Sequence, residues 1–103
     1  RDRRLLSENG ILMVVVTING EGKVLSGPDI ITRGFVYVRG SEELIKDATR
    51  QVEDALEDCE RKGITEWSVL KSKIRDSLDS YLYQRTKRNP MILPIIMEVD
   101  QDR

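Results

Sequence analysis

The chain carries one group of acidic side chains whose spacing suits a bridging metal ion, on the outer side of a predicted helix. Its members recur one, three and four residues apart: Glu53, Asp54, Glu57 and Asp58. Basic residues stand within pairing distance on both sides of the group, at Arg50, Arg61 and Lys62. Charged runs on helices usually form solvent-facing ion pairs at this spacing. We therefore expect ion pairs here rather than a metal site.

Histidine is absent from the sequence, and Cys59 is the single cysteine. Without a histidine, neither a zinc site nor a serine or cysteine nucleophile activated by imidazole can be assembled. Cys59 falls on the apolar side of the predicted helix, where a free cysteine packs as a small apolar residue. We expect no cofactor, no metal ligand and no catalytic residue within this chain.

A basic run, "QRTKRNP" (residues 84–90), is the remaining candidate for a binding site. Its cations Arg85, Lys87 and Arg88 could contact RNA phosphates, and Tyr81 and Tyr83 before it could stack on bases. The alternative is that these cations complement the dipole at the end of a helix. Three cations in a chain of net charge −1 are few for a nucleic-acid surface, which favours the alternative without excluding a local patch.

Three strands are predicted from apolar, β-branched runs. Residues 11–18, "ILMVVVTI", are apolar on both faces, which is typical of a central strand. Asn19-Gly20 predicts a tight hairpin because both residues accept a positive φ, with the return strand beginning at Lys23. The third strand, residues 91–99, contains Pro94, which lacks a backbone donor and indicates an edge position or a bulge.

Two helices are predicted between the second and third strands. The first covers residues 41–62 and ends at Gly63; the second is capped by Thr65 and ends near Arg85. The order ββααβ predicts an α+β fold of two layers, a three-stranded sheet with both helices on one face. The predicted core consists of Val14, Val16, Val52, Leu56, Trp67, Leu70, Ile74 and Ile95.

The stretch "SGPDIITRGFVYV" (residues 26–38) places turn residues inside an apolar run. Gly27 and Pro28 are expected to break the second strand, and Gly34 to permit a second bend. The glycines are seven residues apart, unlike those of a phosphate-binding loop. We expect a bulge that sets Asp29 and Arg33 on an exposed edge, where they brace the bend rather than act on substrate.

Three motifs together resemble the C-terminal domain of bacterial ribonuclease J: "RDRRLLSENGILMVVV", "SGPDIITRGFVYVR" and "YLYQRTKRNPMILPIIMEV". The resemblance covers nearly the whole chain. It implies a zinc-dependent nuclease of the metallo-β-lactamase fold, β-CASP branch, with 5′-to-3′ exonuclease and endonuclease activity in mRNA decay and ribosomal RNA maturation. The zinc ligands of that family lie in histidine-rich motifs of its catalytic domains, and no position here matches them.

What the resemblance implies for this chain is a non-catalytic domain that supports self-association and full activity of the longer enzyme. Residues 1–10 would end an interdomain linker, 11–99 would form the accessory domain and 100–103 a tail. The expected partners are a homodimer or higher oligomer, and RNA through the longer enzyme. An auxiliary RNA-binding module that delivers substrate is the alternative.

The strand pattern predicts an apolar surface that needs a cover. Two helices can cover only one side of the sheet, yet the runs "ILMVVVTI" and "MILPIIMEV" are apolar on both sides. Another copy of the chain, the catalytic domains or the linker would have to cover the second side. The longest apolar run is far shorter than the roughly 20 residues of a membrane span, and no signal peptide is visible, so we expect a cytoplasmic protein without membrane contact.

Overall fold

The computed structural model describes residues 10–34 and 41–99. Within them the chain forms β1 (Ile11–Ile18), β2 (Val24–Arg33), α1 (Ser41–Arg61), α2 (Trp67–Thr86) and β3 (Met91–Glu98). The sheet order is β2-β1-β3, with β1 antiparallel to β2 and parallel to β3. The predicted α+β class, the order ββααβ and the central place of the first strand are confirmed. The predicted linker, the tail and the "FVYV" of residues 35–38 lie outside the described residues, except Gly10.

One face of the sheet packs against both helices and forms the core. Along β1 every second side chain is fully buried, because successive residues of a strand point to opposite faces. The helices contribute stripes at helical spacing. The buried apolar residues are Leu12, Val14, Val16, Ile18, Leu44, Ala48, Val52, Leu56, Cys59, Leu70, Ile74, Leu78, Leu82, Ile92 and Ile96.

Two predicted core residues are exposed. The buried residues of α2 follow one another in steps of four, beginning at Leu70. One step before Leu70 on the same face is Glu66, and Trp67 is the next residue, which points about 100° away from that face. Trp67 is 42% exposed. Ile95 is 40% exposed because the alternation of β3 buries its neighbour Ile96 instead. Those two core predictions are wrong.

The junction between the helices ends α1 as predicted. Gly63 has a φ of +72°, and the N–H of Ile64 donates to the carbonyl of Cys59 at 2.9 Å. Such a left-handed glycine closes the last turn of a helix. The prediction that Thr65 caps α2 is wrong, because the N-cap is Glu66, in extended conformation and without a side-chain cap hydrogen bond.

The predicted hairpin exists, but its loop has five residues. The Asn19 Oδ1 accepts hydrogen bonds from the N–H groups of Glu21 (2.8 Å) and Lys23 (3.0 Å). The positive φ in the loop belongs to Gly22, at +83°, not to Asn19-Gly20. The side chain of Asn19 thus organises the loop from one end, and the return strand begins at Val24 rather than Lys23.

Pro94 lies on an edge strand, as predicted. The N–H of Met91 donates to the carbonyl of Gly10, and that of Val99 to the carbonyl of Ile18, both at 2.9 Å. The backbone N–H groups of successive residues in a strand point to opposite sides of the strand. In β3 the N–H groups of odd-numbered residues therefore point to β1, and those of even-numbered residues point to the free edge of the sheet. The donor that Pro94 lacks would therefore have pointed away from the sheet.

Candidate association surface

The side of the sheet opposite the helices carries large apolar side chains in register. Residues directly opposite one another in neighbouring strands share a face. The alternation of β1 leaves Met13 half-buried on this side, opposite Ile31 of β2 and Leu93 of β3. We call this side the outer face. Its members are Ile11, Met13, Val15, Thr17, Asp29, Ile31, Arg33, Met91, Leu93, Ile95 and Met97.

The β3 side of the outer face consists of exposed apolar side chains. Its four large side chains range from 38% exposure at Leu93 to 48% at Met97. The eleven outward residues of the three strands span roughly 350 Å² in projection. Most of that area is apolar, and an apolar patch of a few hundred Å² is on the order of the largest patch of a typical monomer, which often binds a partner.

The β2 side of the outer face is polar. Asp29 lies opposite Val15 and Arg33 opposite Ile11, with Ile31 between them. Both charged side chains are exposed, and neither has a hydrogen bond or an ion pair in the part of the chain that the structure describes. The bracing contacts that turn chemistry predicts for them are not among the contacts observed there, and that role stays a prediction.

Gly27 and Pro28 lie inside β2 and do not end it. Between Asp29 and Val24 the strand has two more residues than the matching part of β1, so the register shifts twice and the strand bulges. Gly27 has a φ of +93°, and Pro28 is buried behind a cis peptide bond. Gly34, with a φ of +71°, follows the strand. The expected break is wrong: the strand continues through a bulge, which leaves Asp29 in register with β1.

The acidic group on α1 forms ion pairs at one member. Asp58 accepts from Arg61 at 2.7 Å and contacts Lys62 at 3.1 Å, and the hydrogen bond from Lys62 first of all lowers the pKa of the Asp58 carboxyl. Glu53 and Glu57 line an open cleft of about 340 Å³ between α1 and β2. Among residues 10–34 and 41–99, no three His, Cys, Asp or Glu side chains are grouped to hold a metal ion.

Cys59 is a core residue. Its side chain is 1% exposed, and burial raises the pKa of the thiol. A neutral thiol without access to solvent is neither a nucleophile nor a metal ligand.

The cations at the C-terminal end of α2 differ in their contacts. Arg85 donates to the Tyr81 hydroxyl at 2.7 Å and lies 3.5 Å from the Asp47 carboxylate on α1, so it joins the two helices. Lys87 caps α2 in left-handed conformation, and its ammonium stands 5.3 Å from the centre of the Tyr83 ring. Arg88 donates its backbone N–H to the Thr86 hydroxyl. Two of the predicted RNA contacts stand over an aromatic ring: Arg85 lies 5.3 Å from the centre of the half-buried Tyr81 ring, and Lys87 lies beside the exposed Tyr83.

Residue-by-residue prediction missed the members of the outer face. The structure brings Ile31, Leu93 and Met97 onto one surface, and none of them entered the predicted sites. The available signal was the apolarity of the first and last strands on both faces.

No described helix is long and apolar enough to cross a membrane.

Comparisons with known proteins agree on one family. The ribonuclease J C-terminal domain family matches residues 1–99. Ribonuclease J2 of Bacillus subtilis (strain 168) is 56% identical over 100 residues, which are 96% of this chain and 18% of that protein. Ribonuclease J 2 of Staphylococcus epidermidis and of Staphylococcus aureus (strain NCTC 8325 / PS 47) are 45% and 43% identical over the same shares of each chain. The chain thus spans about one fifth of the length of these relatives.

Proposed function

Because this chain belongs to the ribonuclease J C-terminal domain family, we propose that it is the non-catalytic assembly domain of a longer ribonuclease J. In this proposal the outer face binds a second copy of the chain and so joins two copies of the enzyme. The observation that carries the proposal is the apolar row of Met13, Ile31 and Leu93, in which Ile31 and Leu93 are exposed on either side of the half-buried Met13. A dimer is the commonest closed assembly, and it covers the same surface on both partners.

RNA cleavage is assigned to the rest of the longer protein. The zinc that the family resemblance implies does not fit the described residues, since the sequence has no histidine and Cys59 is buried. We therefore derive no catalytic step here. The 5′-to-3′ exonuclease and endonuclease activities, in mRNA decay and ribosomal RNA maturation, belong in this proposal to domains outside residues 10–99.

The size of the outer face predicts a modest affinity for the chain by itself. Covering it on two copies removes on the order of 1,000 Å² of surface, near the lower limit of a specific interface. Burial of apolar area at about 25 cal/mol/Å² supplies the driving force, from which the loss of rigid-body freedom must be subtracted. We expect concentration-dependent association, strengthened by contacts elsewhere in the longer enzyme.

Replacing Ile95 by lysine tests the proposal. Ile95 lies at the centre of the β3 row and is exposed, so Ile95→Lys leaves the core intact but sets a charge inside the interface. We expect about tenfold weaker association, because the interface must bury or displace this charge. Sedimentation velocity of the chain, and of the longer enzyme together with its rate on RNA, measures this effect.

Gln51→Lys is the matched control, because it adds the same charge at an exposed position of α1 on the helix side of the molecule. It should associate like the unchanged chain. If Ile95→Lys kept the same assembly state and rate on RNA, the assembly role would be wrong. Thermal unfolding of both variants establishes that each remains folded.

An RNA-binding module is the second candidate, and one observation favours it. Lys87 and the 47% exposed Tyr83 place a cation over an aromatic ring at the surface, where a base could stack and a phosphate could pair. Arg85, in contrast, is held by Asp47 and Tyr81. One such pair makes a small site, which is why assembly is the preferred function.

A further inference from the structure

We propose that two copies of the chain pair outer face to outer face, with Asp29 of each copy against Arg33 of the other. The inference rests on the proposed function and deepens it by specifying the geometry of the dimer. The two-fold axis would run across the strands along the row of Ile31, Met13 and Leu93.

The charges of β2 are arranged symmetrically about Ile31. Asp29 precedes it by two residues and Arg33 follows it by two, on the same face of the strand. Their Cα atoms are therefore roughly 13 Å apart along the strand. No ion pair joins them within the chain, and each remains exposed without a partner among the described residues. A surface with one charge of each sign at equal distances from its centre is complementary to itself.

A two-fold axis across the strands uses this complementarity. It places each strand opposite its own copy with the direction reversed, so that Asp29 meets Arg33 of the second copy and Arg33 meets Asp29. Packed sheets cross at about 30°, which displaces the paired positions by about 4 Å, a distance that an arginine side chain spans. The apolar row of Met13, Ile31 and Leu93 then meets its own copy at the centre.

An axis along the strands gives a worse arrangement. A two-fold axis parallel to the strands reverses the order of the strands in the second copy and keeps their direction. It would therefore place β2 opposite β3 of the second copy. Asp29 would then face Ile95 of the second copy, because both residues pair with Val15 of β1. Arg33 would face Met91, because both pair with Ile11. Two charges on each copy would be desolvated against apolar side chains without compensation. Charge placement thus selects one of the two symmetric arrangements.

Charge reversal tests the register. Asp29→Arg sets a second guanidinium against Arg33 of the other copy, and Arg33→Asp sets a second carboxylate against Asp29. Each single variant should therefore associate about tenfold more weakly than the unchanged chain. An equimolar mixture of the two variants should form mixed dimers with near-original affinity, since all facing charges are then opposite. The double variant Asp29→Arg/Arg33→Asp should recover as well. Native mass spectrometry of chains with different isotope labels, over a salt series, measures all four samples.

The outcomes separate this inference from the proposed function. If both single variants associate like the unchanged chain while Ile95→Lys does not, the register is wrong and the outer face remains the interface. If the single variants are weakened but neither the mixture nor the double variant recovers, the charges act outside facing pairs and the register is also wrong. If the chain forms no dimers, or if Ile95→Lys has no effect, the proposed function fails and this inference with it.

Discussion

At the scale of the residue, Gly27 depends most on having no side chain. A Cβ at this position would lie 2.6 Å from the carbonyl oxygen of Val15, and the φ of +93° is one that other residues rarely adopt. We expect Gly27→Ala to lower the free energy of unfolding by about 1–3 kcal/mol, because the bulge must shift away from β1. Urea denaturation of the chain measures this change.

Gly20→Ala is the control for Gly27→Ala. A Cβ at Gly20 meets only the Glu98 carboxylate at 3.7 Å, and the residue has no positive φ. That variant should unfold within about 0.5 kcal/mol of the unchanged chain, as exposed substitutions usually do. Equal stabilities for the two alanine variants would mean that the bulge tolerates a side chain and does not depend on glycine.

At the scale of the element, β3 has one side bonded to β1 and one side free. The alternation set by Met91 and Val99 assigns the N–H of Met97 to β1 and that of Glu98 to the open edge. Met97→Pro should therefore cost about 1–3 kcal/mol more than Glu98→Pro, since it leaves a carbonyl of β1 without its donor. Thermal unfolding of the two variants compares them directly.

The two proline variants control for each other. Both replace an exposed side chain near the end of the same strand, and both impose the same restriction on φ. Glu98→Pro also removes the long hydrogen bond that the Trp67 indole donates to the Glu98 carboxylate at 3.4 Å, so the measured difference is a lower bound on the contribution of the ladder hydrogen bond. A larger loss in Glu98→Pro would contradict the assignment of β3 as an edge with its even-numbered donors outward.

At the scale of the whole molecule, the question is whether the chain binds RNA by itself. The net charge is −1, and Arg85 is engaged by Asp47, so the outward contribution of the basic run is small. We expect weak binding of a single-stranded RNA, with a shallow dependence of log K on log salt concentration. Fluorescence titrations of Lys87→Ala and of the exposed control Lys73→Ala measure the slope.

The opposite result would favour the RNA-binding module. In that case the unchanged chain would bind with micromolar affinity, and its salt slope would fall by about one in Lys87→Ala. Lys73→Ala would keep the original slope. The association measurements use a different variant, Ile95→Lys on β3, whereas Lys87 follows the C-terminal end of α2.

Much of the fold followed from local patterns in the sequence. Apolar residues at a period of two or near four define strands and helices without any distant contact, so the order ββααβ and the inner faces of the helices were predictable. Of the two strands that are apolar on both sides, the first has no proline and lies in the centre, whereas Pro94, which has no donor, belongs at an edge. With no histidine in the sequence, a catalytic centre that needs an imidazole cannot be built from this chain.

Only the tertiary structure decided which side of each strand is covered. Along β3, Ile95 and Ile96 are equally apolar, and periodicity cannot tell which of them will meet the helices. The strand pairing then placed Ile31 and Leu93 beside Met13, and the bulge at Gly27 set Asp29 in the same face. These placements depend on contacts between distant parts of the chain, whereas sequence periodicity reports only on neighbours within one element.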